Sequence, residues 1–174
     1  MKHMTAFAAA AAVVVTCMTS PALAADTLLQ RLAGDWIGRG VYLRNGAADP
    51  EPVYCRLSNE LAADGVTLNQ RGRCAITDTS AGMEVTITAL GDGKYTGHGN
   101  GIGLGSRGQA TLTGTGTADR LELTAELVDT ATGDTETAIA TMETAGDGYR
   151  LRIERAVPEP DGSVIATEIA FTRN

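Results

Sequence analysis

Cys55 and Cys74 stand symmetrically about an Asp64-Gly65 dipeptide. Asp-Gly is a preferred corner of tight hairpins because both residues tolerate positive φ. A two-residue corner there pairs positions whose numbers sum to 129, which sets Cys55 opposite Cys74. Directly opposed residues have Cα atoms about 4.5–5.5 Å apart, within disulfide reach. The chemistry this spacing supports is oxidation to a bridge. A reactive thiol pair would ordinarily show the closer Cys-x-x-Cys spacing. Hydrophobicity gives an independent check. The same register gathers Val53, Leu57, Leu61, Leu68 and Ile76 with both cysteines on one face, and Tyr54, Arg56, Glu60, Arg71 and Arg73 on the other. A three-residue loop would put the cysteines on opposite faces and break both patterns.

The register also places polar groups inside. Asn59 faces Gln70 on the apolar side of this hairpin. A corner at Asp92-Gly93 pairs positions summing to 185 and turns His98 and Asn100 inward with Met83, Val85 and Ile87, unless a bulge at Gly91 or Gly93 reverses the parity. Asn59, Gln70, His98 and Asn100 are thus the candidate ligand-binding interior. Their other reading is an internal hydrogen-bond cluster, since an unpaired buried amide costs about 1–3 kcal/mol. On the outer face, Arg56 directly opposes Arg73, with Arg71 nearby. Opposed like charges repel unless an anion or carboxylate lies between them. These three arginines are a candidate anion or partner patch, or else pair internally with Glu60 or an acidic loop.

Other chemistry is excluded by what the chain lacks. Beyond His3 near the start, His98 is the only histidine, too few for an ordinary metal site and a poor basis for haem ligation. The glycine-rich stretch from Gly97 to Gly108 is followed by a Thr-rich strand pattern, whereas a phosphate loop needs a helix there. No serine elbow, nucleophile with a His-Asp pair, or free thiol is present. No catalytic residues, cofactor or metal are expected, and the chain does not read as an enzyme.

These residues must be positioned by a single exported domain. Lys2 and His3 precede an apolar run over 5–15, and Ala22-Leu23-Ala24 fits a signal-peptidase site. Cleavage after Ala24 divides the chain into a signal peptide, 1–24, and one domain, 25–174. The apolar run is too short for a stable membrane span. A lipoprotein would instead carry lipid on Cys17, but Thr16 before it fits that pattern poorly. Of 14 Lys and Arg, only Lys2 is lost with the leader; 13 remain against 21 acidic residues, a net charge of about −8. That argues against nucleic acid and anionic membrane surfaces, which need positive patches. Cys55 and Cys74 are then the only cysteines, as expected for a disulfide in a periplasmic or secreted protein.

The periodicity predicts a short helix over 27–32, capped by Asp26, and then alternation throughout. Ten strands are expected at 36–44, 52–61, 66–76, 83–90, 95–104, 109–115, 120–128, 137–144, 149–156 and 164–173, separated by Gly-, Asn- and Asp-rich turns. This is an all-β chain. The expected architecture is an up-and-down antiparallel barrel of 8–10 strands with a short N-terminal helix, the alternative being a two-sheet β-sandwich.

Leu32-Ala33-Gly34-Asp35-Trp36 places a Gly-x-Trp at the start of the first strand, and Arg173 ends the last. This resembles the calycins, which include lipocalins, fatty-acid-binding proteins, avidins and bacterial protease-inhibitor barrels. The resemblance implies a barrel whose basal Trp36 is covered by Arg173. Val53-Tyr54-Cys55-Arg56 and the segment from Leu68 to Ala75 also look like a group of small secreted bacterial proteins of uncharacterised activity. Two functions are expected to compete. One is a periplasmic barrel that binds a small apolar or amphipathic ligand. The other is a protein-binding module, such as a secreted-protease inhibitor or an envelope-assembly factor. In the inhibitor form, residues 25–32 would act as a plug whose deletion leaves stability nearly intact.

Overall fold

The computed structural model describes residues 26–43, 49–101, 108–129, 132–156 and 163–174. The expected leader, its expected cleavage site and Cys17 lie outside these residues, as do parts of the first and fifth expected strands and the turns at Asn45-Gly46 and Asp161-Gly162. Asp26 accepts a hydrogen bond from the Leu29 amide at 2.9 Å and caps α1, Thr27–Leu32. Ten strands follow: β1 Gly34–Tyr42, β2 Glu51–Leu61, β3 Thr67–Ala75, β4 Ser80–Gly91, β5 Lys94–Asn100, β6 Gly108–Gly116, β7 Arg120–Asp129, β8 Thr135–Ala145, β9 Gly148–Ala156 and β10 Ser163–Arg173. Each pairs antiparallel with its sequence neighbours, and β1 pairs with β10 to close the barrel. Closure rules out the sandwich.

The alternation of buried and exposed residues is clearest along β7, where Leu121, Leu123, Ala125 and Leu127 are buried between exposed neighbours. The core is largest at the end where α1 sits. Leu28, Leu29 and Leu32 are at most 1 % exposed and close that end from within. Tyr95 Oη donates to Asp26 Oδ2, Arg31 Nη1 to the Ala118 carbonyl and Arg173 Nη1 to the Ala33 carbonyl, so three turns and strand ends hold the helix. The segment expected to act as a detachable plug has its three leucines deeply buried. The segment is part of the core, and its loss removes buried apolar area.

Arg173 lies opposite Trp36 with its guanidinium carbon 4.5 Å from the indole ring. Gly34, at φ 128°, makes room for this contact, because a Cβ there would sit 2.3 Å from Arg173 Nη1. Behind Trp36, Tyr149 packs edge-on at 5.0 Å, and Phe171 stacks on Tyr149 at 4.5 Å. Gly38 clears the space Phe171 fills, since its Cβ would lie 2.4 Å from that ring.

The first hairpin keeps the register in which positions sum to 129, with Cys55 opposite Cys74 and a disulfide joining them across a Cα separation of 4.1 Å. Its corner differs from the two-residue form. The Gly65 amide bonds the Ala62 carbonyl and the Ala62 amide bonds the Thr67 carbonyl, so the turn spans four residues. Only Gly65 needs positive φ, at 71°. Four residues preserve the parity that two would have set, because the change is even. Asp64 then uses its side chain: Oδ1 accepts from the Val66 and Thr67 amides, and Oδ2 from Thr67 Oγ1. The Val66 amide and then the Thr67 hydroxyl hold its carboxyl below the ordinary value. A depressed folded-state pKa contributes stability above the unfolded pKa of about 4 and loses it as pH falls through the folded value. Asp64→Ala is expected to lower the melting temperature at pH 7, and melts across pH 2–7 should show the difference vanishing at the acid end.

The second hairpin departs from expectation. β4 carries a bulge between Ala89 and Gly91, and beyond it partners sum to 184, with Val85 opposite Gly99 and Ile87 opposite Gly97. Gly91, Asp92 and Gly93 all have positive φ, and the extra residue, Leu90, is 63 % exposed. The bulge turns Tyr95 inward, where it is 5 % exposed and reaches Asp26. His98 and Asn100 consequently face outward and are exposed. Their assignment to the interior is incorrect, because one inserted residue reverses every side chain that follows.

Candidate functional site

Of the four expected interior residues, Asn59 and Gln70 are inside and in contact. Gln70 Nε2 donates to Asn59 Oδ1 at 3.0 Å, and Asn59 Nδ2 donates to the Leu32 carbonyl at 2.8 Å. The same carbonyl accepts from Trp36 Nε1 at 2.9 Å. The two amides thus satisfy the open end of α1 and tie it to β1, β2 and β3. Tyr149 is buried beside them, and its hydroxyl has no partner within hydrogen-bonding geometry. Desolvation raises its pKa, partly offset by the nearby Asn59 and Gln70 side chains. Burial and then the Asp26 carboxylate do the same for Tyr95. Both phenols are neutral at ordinary pH.

Beyond Gln70, toward the end away from α1, the interior is incompletely filled. A cavity of about 70 Å3 opens between β3, β4 and β6–β10. Its wall is apolar: Met83, Val85, Met142, Leu151 and Ile153 set the sides, and Ala81, Ala125 and Ala140 leave the room. Among the described residues of the lining, Gln70 and Thr167 supply the polar side chains, and Cys74 contributes the disulfide. Met83, Leu151 and Ile153 in this wall are only partly buried. Thioether side chains there can repack around a guest more readily than branched ones. Apart from Gln70, the sequence did not single out this lining as a ligand site. Its signal was the run of inward alanines and methionines, which is also what an ordinary core looks like.

Two further clusters lie on the outer wall. The bulge brings His98 and Asn100 beside Thr86, Glu84 and Arg71, over a polar depression of about 370 Å3. Asn69 Oδ1 accepts from Thr86 Oγ1 in this group. Among the described residues, no group of three or more His, Cys, Asp or Glu is placed to hold a metal ion. Arg56 and Arg73 are direct cross-strand partners on β2 and β3, and Arg71 is two residues along from Arg73. Among the described residues, the expected internal neutralisation is not found. Arg56 Nε donates to Tyr54 Oη and Arg73 Nη1 to Ser80 Oγ, and Arg71, though opposite Glu84, makes no ion pair among the described residues.

The chain matches no protein-family model and no curated protein. The closed ten-stranded meander is consistent with a calycin-like fold, and the disulfide fits an extracellular or periplasmic setting. Among the described residues, no helix is long and apolar enough to cross a membrane.

Proposed function

We propose that this protein is an exported, periplasmic binding barrel that holds a compact apolar group, or the apolar end of an amphipathic molecule, in the cavity beyond Gln70. The supporting observation is a hydrophobic void at one barrel end while the other is sealed by α1. At about 70 Å3 it is smaller than the roughly 300–1,000 Å3 of drug-sized sites. A space of about 150 Å3 is known to accept benzene. The guest is therefore small, or only its terminal group is enclosed. Gln70 and Thr167 provide the hydrogen bonds that would orient a hydroxyl or carbonyl.

A thermal-melt series with straight-chain alcohols tests this reading. Stabilisation follows RT ln(1 + [L]/Kd), so the melting temperature should rise with chain length and level off once the chain outgrows the cavity. Ala140→Leu fills the void and should abolish the rise, at a packing cost of about 1–3 kcal/mol. Ala81→Leu, nearer the end of the barrel away from α1, is the milder control. No alcohol-dependent shift in the unaltered protein would overturn the assignment.

A further inference from the structure

The arginines divide into two populations. On β7–β10 all but Arg173, which covers Trp36, are matched with glutamates: Arg120 with Glu122 and Glu143, Arg150 with Glu168, Arg152 with Glu154, and Arg155 with Glu136 at 3.9 Å. Arg39, Arg56, Arg71 and Arg73, on β1–β3, are all exposed and form no ion pair among the described residues. They are concentrated on three adjacent strands of a chain with seven surplus acidic charges overall. Arg39 and Arg56 both approach the Tyr54 ring, at 5.9 and 5.7 Å from its centroid. Arg56 faces Arg73 directly, an unfavourable pairing with no internal relief. The nearby acids do not supply it. Asp35 accepts from Ser58, Glu84 lies across from Arg71 without pairing, and Glu60 lies beyond Ser58, two outward positions along β2 from Arg56.

We propose that the outer face of β1–β3 docks an extended, acidic segment of a partner protein. The basic groups spread along and across the strands and do not converge on one point, which suits a chain of anions better than a single ion. Arg71 and Arg73 are two residues apart on one strand, about 6.8 Å, and alternate carboxylates of an extended peptide repeat at the same distance. An open groove of about 450 Å3 between Arg39, Pro52, Tyr54 and Ile76 runs beside the arginines and would seat an apolar side chain of the same segment. The surface lies outside the barrel and stands independently of the interior cavity.

A fluorescein-labelled twelve-residue peptide of alternating Glu and Thr, titrated by anisotropy, is the test. Binding is expected at 20 mM salt and should weaken at least tenfold by 200 mM, as surface charge is screened. Arg73→Glu should reduce affinity at least tenfold while raising the melting temperature by about 1–3 °C, because it replaces a repulsive pair with an attractive one. Arg73→Gln, which only removes charge, should fall between. Absence of peptide binding, or unchanged affinity in Arg73→Glu, would overturn the proposal. So would tighter, Arg73-dependent binding of phosphatidylglycerol vesicles or duplex DNA, which would assign the face to a different class of partner.

Discussion

A protein starting after residue 32 is expected to lose its cooperative thermal transition and its near-ultraviolet circular dichroism. Leu28, Leu29 and Leu32 are almost wholly enclosed. Burying each such side chain contributes about 1.5–3 kcal/mol, so the three together stand for roughly 5–9 kcal/mol. A domain's whole stability is only about 5–15 kcal/mol. The truncation also removes the Leu32 carbonyl, leaving Trp36 Nε1 and Asn59 Nδ2 buried without acceptors. It strips Tyr95 of its Asp26 partner as well. Retention of a sharp melt within a few degrees of the intact protein would show that the helix covers the barrel without holding it.

Opening the Cys55–Cys74 bridge ranks second. It closes a loop of 19 residues, for which the chain-entropy account gives about 3 kcal/mol. For a domain of this length that corresponds to a fall of about 6–12 °C in melting temperature. Reduction by dithiothreitol and the double change Cys55→Ala, Cys74→Ala should agree within a few degrees, since both remove the same constraint. Cys55 is fully buried, so the double variant also loses a little packing and should be the lower of the two. The bridge sits at a position where the parity of the Ala62–Thr67 bond makes Cys55 and Cys74 a pair without backbone hydrogen bonds between them. Side chains approach most closely at such positions. A reduced protein as stable as the oxidised one would mean the register is held by the surrounding ladder alone.

Most of the scaffold was legible from the chain. Ten strands, the capping Asp26 and the pairing of the first hairpin follow from alternation and turn chemistry, because a half-buried strand permits only one phase of its pattern. The turn at residue 65 is four residues long where two are expected, without consequence, since even loops keep the same phase. The turn at Asp92 carries one residue more than the simple hairpin expects, and that reverses the placement of His98 and Asn100. Tyr95, Gly97 and Gly99 alternate with Thr96, His98 and Asn100. Weighing an aromatic ring and small residues against three polar ones would have favoured the observed phase. The apolar cavity was not legible, because a void is a difference between volumes that many strands supply together.

The junction of β1 with β10 matches Trp36 to Arg173, residues from opposite extremes of the folded chain. Contacts of such long sequence separation form slowly, since loop entropy must be overcome first. Without its final strand docked, the sheet would have two bare margins, β1 and β9, each able to recruit a stranger's backbone. Such an unsealed form, more than the finished cylinder, would be the one exposed to misassembly. Mutations that delay the last strand should therefore betray themselves as lost yield before they register as lost stability.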